Sequence, residues 1–274
     1  MARLSISEAW SEAAAFVKRE GRLLFPLAFM LVALPVAVLQ AFTPAPPAPD
    51  QPPPAGLWLL LLPITLIASM VGNLAISYLA LRPGVSVGEA IAHGARRFLS
   101  LLGAVLILSL VGIALALVIA MIVVALVPGA ASGGAVPTPA TATAMLILML
   151  LLLPAVIYVS ARLMAMTPLA AAESVGPVAI IRRSWSLTSG HGLKLVAFVL
   201  LVGLTYVIGT AAIQIVAGLV ILVFTGPAQP GSLGALLLII VMAGVNTAVG
   251  PYLTSLIARI YAQLARADRS ALST

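Results

Sequence analysis

Apolar residues run in six long stretches along this chain, at roughly 23–41, 57–81, 100–127, 143–167, 194–225 and 234–260. A helix needs about 20 apolar residues to cross a hydrocarbon core, so each stretch predicts a membrane-spanning α-helix. Several stretches are longer, which predicts tilt, kinks or ends that project past the bilayer. Pro26, Pro35, Pro63 and Pro154 fall inside them, where neighbouring helices can satisfy the freed carbonyls. The expected fold is all-α: one polytopic membrane domain over residues 1–274, with the spans paired as three hairpins.

The connections alternate in character. Residues 42–56, 128–142 and 226–233 are rich in Pro and Gly and carry a single charge, Asp50. The other set holds all 14 Lys and Arg of the chain. It comprises Arg3, Lys18, Arg19 and Arg22, then Arg82, Arg96 and Arg97, then Arg162, Arg182, Arg183 and Lys194, then Arg259, Arg266 and Arg269. Six crossings put every one on the same face, and the positive-inside rule makes that face cytoplasmic, with both termini there. The first stretch also fits the apolar region of a cleaved signal peptide. Glu8, Glu12 and Glu20 ahead of it, and a length that spans a membrane unaided, favour a retained helix.

Each odd-numbered span follows a segment with one apolar stripe at helical spacing. In the first, Ile6, Trp10, Ala13 and Val17 share a face; in the second, Val87, Ile91, Gly94 and Phe98; in the third, Ile181, Trp185 and Thr188. Such a stripe describes a helix lying in the membrane interface. Ser5 or Ser7 and Ser86 suit N-caps, and Pro177 suits a first helical turn. Arg82, Arg162 and Arg259 close the even-numbered spans. The simplest organisation is three repeats of surface helix plus hairpin, at 5–82, 86–167 and 177–260.

Composition supports lipid as the solvent. The chain of 274 residues is 62% hydrophobic and 8% charged, with a mean hydropathy of +1.21; a soluble domain is about a quarter charged. Cysteine is absent, which excludes disulfides, thiolate metal sites and a cysteine nucleophile. The net charge of +7 sits at the ends of apolar runs, so anionic lipid head groups, and not nucleic acid, are the expected partner. A second copy of the chain or another membrane protein is a further candidate partner.

Residues 168–194, PLAAAESVGPVAIIRRSWSLTSGHGLK, resemble the membrane domain found beside some glycerophosphoryl diester phosphodiesterases, and the related YciC-type bacterial inner-membrane proteins. The six-span layout extends the likeness loosely over the chain. The resemblance implies a helical protein of the bacterial inner membrane connected with membrane or envelope homeostasis. It does not imply hydrolysis, which in that family belongs to a separate soluble domain.

No catalytic constellation stands out. The seven acidic residues are scattered, and His93 and His191 lie in different segments. No Walker loop, His-Glu-x-x-His or Gly-x-Ser-x-Gly element occurs. An enzyme is not expected, nor a metal centre or cofactor. The candidate lipid- or phosphate-binding residues are Arg182, Arg183, Ser186, Ser189, His191 and Lys194, with Arg96 and Arg97. Arginine offers a fork matched to phosphate, and hydroxyls add donors. Generic positive-inside charge is the alternative for this cluster. Glu173 is expected to pair with Arg162 across the turn after the fourth span, and Trp10 and Trp185 to anchor at the interface. Asn73, Gln214 and Asn246 suit helix packing, with a polar pathway as the alternative. The expected function is a non-enzymatic role in membrane organisation or lipid and envelope homeostasis. Transport of a lipidic or small amphipathic substrate between the hairpins is the alternative.

Overall fold

Ser5 opens the first helix: its hydroxyl accepts the Glu8 backbone N–H at 3.3 Å, and α1 runs over Ile6–Ala28. A π-helical turn at Phe29–Ala33 and helix α2 at Leu34–Phe42 continue it without a break. The wide turn sits just before Pro35, which has no N–H for the Leu31 carbonyl and whose ring would press on it. Thr65, across on the next helix, donates to the Pro35 carbonyl at 3.2 Å. This computed structural model describes residues 5–44, 54–126 and 139–272. Most of the connections at 42–56 and 128–142, with Arg3 and Asp50, lie outside the described residues.

The remaining helices are α3 (Trp58–Leu81), α4 (Val87–Leu126), α5 (Pro139–Leu163), α6 (Met166–Ala172), α7 (Pro177–Leu187), α8 (Gly192–Thr225) and α9 (Leu233–Leu272). A 3₁₀ turn at Ser189–His191 joins α7 to α8. Among the described residues there is no strand. Six helical segments are long and apolar enough to cross a membrane, from Ile6–Phe42 to Leu233–Ser270.

Local signals read from the chain reappear here. Ser86 and Glu89 form a capping box at the start of α4: the Ser86 hydroxyl accepts the Glu89 N–H at 3.2 Å, and the Glu89 carboxylate accepts the Ser86 N–H at 3.4 Å. Pro177 is the first residue of α7.

Two joints differ from expectation. The first and second surface segments are not separate helices but the leading turns of the helices that carry the spans. Only α7 stands apart. The reason lies at the joints: Phe98 to Leu101 contain no helix breaker, and the first joint has Gly21 alone, whereas Thr188 to Gly192 carry two glycines.

The second expected hairpin also differs. α2 packs on α3 and α8 on α9, but α4 packs chiefly on α3, α6 and α7, and α5 chiefly on α8 and α7. α7 takes the space between α4 and α5. Gly103 of α4 permits this, since a Cβ there would come within 2.8 Å of Pro177 Cγ. α1 lies along the last turns of α9, with Ser5 N–H donating to Gln263 and Glu12 facing Arg259 at 3.7 Å.

The core gathers at the basic end of the bundle. Leu74, Leu101, Leu169, Ile180 and Tyr261 pack in one cluster, Phe16, Leu24, Ala75 and Ala258 in a second, and Ala13, Leu195 and Leu256 in a third. Towards the other end, Leu110 and Met121 of α4, Leu151 of α5 and Val216 of α8 turn outward. Such side chains suit a lipid surrounding, where tails are as apolar as leucine.

Candidate functional site

The basic ends of α3 and α9 meet α6 and α7 around a cavity of about 550 Å³. Arg82, Arg183, Arg266 and Arg269 line it, with Tyr78, Tyr261 and a single carboxylate, Glu173. Glu173 is already engaged. Its Oε2 lies 2.7 Å from Arg183 Nε, and its Oε1 accepts the Tyr261 hydroxyl at 3.0 Å. Asp268 sits 4.0 Å from the same guanidinium. Among the described residues, no carboxylate pairs with Arg82, Arg266 or Arg269. All three are exposed on the open side, so the cavity presents uncompensated positive charge to whatever enters.

One wall is stiffened from behind. Arg82 donates to the Tyr78 hydroxyl at 3.3 Å, Tyr78 stacks on His93 at 4.0 Å, and His93 Nε2 lies 2.9 Å from the Ala171 carbonyl. That chain ties α3, α4 and α6 together behind the arginines. It depends on Gly94, where a Cβ would sit 2.8 Å from the Val71 carbonyl oxygen of α3.

Glu173 therefore pairs with Arg183, not with Arg162 as the sequence suggested. Arg162 ends α5 beneath α7 and is only 6% exposed. Its guanidinium lies over Trp185 at 4.8 Å and Tyr158 at 5.6 Å, and Nη1 reaches Thr188 Oγ1 at 3.5 Å. Its own carbonyl accepts from Ser184 and Thr188 at 3.0 and 3.2 Å. Glu173 follows α6, on the opposite side of α7's first turns, where Arg183 points. Arg162, buried, and Trp185, exposed, form a cation–π joint between α5 and α7.

The predicted lipid cluster is divided. Arg183 lines the cavity. Arg182, Ser186, Ser189, Lys194 and Arg96 are exposed, and His191 and Arg97 are half-buried. Ser186 and Ser189 spend their hydroxyls on carbonyls of their own helix end, at 3.0 and 2.6 Å. Trp10 packs edge-on against Tyr252 at 5.0 Å. Sequence reasoning placed Arg82, Arg266 and Arg269 on the basic side but did not single them out. Tyr78 and Tyr261 carried no signal.

A second cavity of about 420 Å³ lies deeper, between α3, α4, α6 and α9. Leu66, Met70, Val105 and Ile257 make it largely apolar, but Ser69, Asn73 and Ser77 place a polar stripe on α3 at four-residue spacing. Asn73 donates to the Ser69 carbonyl at 2.8 Å and accepts from Thr254 at 3.1 Å. The Ser69 and Ser77 hydroxyls are buried without a partner among the described residues. Asn246 accepts from Tyr206 at 2.8 Å, between α8 and α9, and Gln214 is exposed.

No curated protein and no solved structure matches the chain. Residues 4–264, nearly the whole length, match the family described as a domain of unknown function (DUF7847), and the chain belongs to that family.

Proposed function

We propose that this is a non-enzymatic protein of the bacterial inner membrane that holds an anionic lipid head group, in membrane organisation or lipid and envelope homeostasis. The observation that carries this reading is the cavity in which three of four arginines have no carboxylate partner among the described residues. Guanidinium groups converging from α3 and α9 suit a phosphate, which accepts forked hydrogen bonds and neutralises the charge. The one-sided basic residues support cytoplasmic termini, and the likeness of residues 168–194 to the phosphodiesterase-associated membrane domain points in the same direction. The shared capping at Ser5 and Ser86 supports kinship between the first two of three repeats.

Native mass spectrometry of gently solubilised protein tests the lipid claim. Arg266→Gln with Arg269→Gln should lower retained anionic lipid about thirtyfold, taking roughly 1 kcal/mol per basic residue. Arg96→Gln with Arg182→Gln removes the same charge from the same end and should leave retention close to wild type. Equal losses in both variants would reduce the cavity to generic surface charge.

Transport of an amphipathic substrate is the second reading, supported by the deeper cavity. Asn73 stands eight residues from the end of α3, about 12 Å along the helix axis at 1.5 Å per residue. Movement of a labelled phospholipid between leaflets of proteoliposomes, faster than in protein-free vesicles, would favour it; equal rates would count against it.

A further inference from the structure

Resting on the reading of the basic cavity as a head-group site, we infer that the two cavities act as one groove for an anionic glycerophospholipid. The phosphate sits on Arg82, Arg266 and Arg269, an acyl chain enters the deeper cavity, and Ser77 donates to an ester carbonyl between them.

The two cavities border the same three helices. On α3, Ser77 lines the deep cavity and Tyr78 and Leu81 the basic one; on α9, Ile257 and Tyr261 stand one turn apart; on α6, Pro168 gives way to Ala172. The two cavities thus adjoin along these helices, meeting at these positions with no lining residue in common. The deep cavity falls within the usual size of ligand sites, about 300–1,000 Å³, and its lining suits a hydrocarbon chain.

Ser77 supplies the chemical detail. It is fully buried, and its hydroxyl has no partner among the described residues. An unmade hydrogen bond in such surroundings is costly, and a ligand carbonyl would complete it. Ser77 precedes Arg82 by five residues, about 7.5 Å along the helix at 1.5 Å per residue. That is close to the span of a glycerol unit between a phosphate and an acyl ester. Free phosphate would satisfy the arginines equally but would leave Ser77 and the apolar walls unused.

Binding to the full-length protein in mild detergent separates the sources, with dioleoyl phosphatidic acid, dioleoyl phosphatidylcholine and inorganic phosphate as probes. Wild type should prefer the phosphatidic acid over the phosphatidylcholine by about tenfold or more. Ser77→Ala should weaken the phosphatidic acid about fivefold, the effect of one neutral hydrogen bond of about 1 kcal/mol, and leave inorganic phosphate unchanged. Thr167→Phe, which fills the deep cavity at a half-buried position, should weaken the lipid further with phosphate again unchanged. If both variants bind the lipid like wild type while Arg266→Gln with Arg269→Gln does not, the groove is wrong and the head-group site stands. If the arginine variant also binds like wild type, both ideas fall. If wild type binds phosphate as tightly as the lipid, the occupant is a free phosphate and the groove is again wrong.

Discussion

Gly94 and Gly112 belong to the same helix, α4, and offer a paired test of how it packs. A Cβ on Gly94 would lie 2.8 Å from the Val71 carbonyl oxygen and 3.4 Å from the Ala75 nitrogen, both main-chain atoms of α3. Around Gly112 nothing lies within 4 Å. Alanine raises helix propensity at either position by about 0.5–1 kcal/mol. At Gly94 the obstacle is backbone, so no side-chain rotation relieves it and α3 must move away from α4. Overpacking of this kind costs about 1–3 kcal/mol. Gly94→Ala should therefore be less stable than wild type by about 0.5–2 kcal/mol, and Gly112→Ala equal or slightly more stable. Thermal unfolding in one mild detergent, followed by circular dichroism, reads the difference directly. Shifts of the same sign and size would refute the close approach of α3 and α4. The Tyr78–His93 stack behind the arginines would then lose its support.

Two further outcomes follow from other parts of the fold. Arg162→Lys keeps the charge but loses the planar face over Trp185, and should lower stability by about 1 kcal/mol; an unchanged unfolding midpoint would mean that the stack does not hold α5 to α7. Single cysteines at Asp50, Ser132 and Gln229 should react with an impermeant thiol reagent in intact cells, whereas cysteines at Ser11, Gly88 and Ser189 should react only after the membrane is opened. A reversed result at any of these positions would break the six-crossing topology.

The six spans were legible because apolar run length is a direct demand of the bilayer. The caps at Ser5 and Ser86 were legible because they involve only neighbours in sequence. The break at Thr188 to Gly192 announced itself through two glycines, while the missing breaks after Glu20 and Phe98 follow from the lack of strong helix breakers at those joints. Partner choice was a different matter. Arg162 and Arg183 lie at nearly equal distances in sequence from Glu173, so spacing alone does not choose between them; the path of α7 against α4 does. Arg82 lies far along the chain from Arg266 and Arg269 and converges with them only because α3 and α9 pack together. The stripe of Ser69, Asn73 and Ser77 was present in the spacing, but its facing residues on α6 and α9 were not.

A lipid phosphate should sit where α3 and α9 bring their arginines together. A cryo-electron microscopy map of the protein in nanodiscs containing phosphatidic acid tests this without any substitution. Head-group density is expected within hydrogen-bonding distance, about 3 Å, of Arg82, Arg266 and Arg269, with an acyl chain passing Ser77. Head-group density gathered instead around Arg96 and Arg182, with none between Arg82 and Arg269, would contradict it.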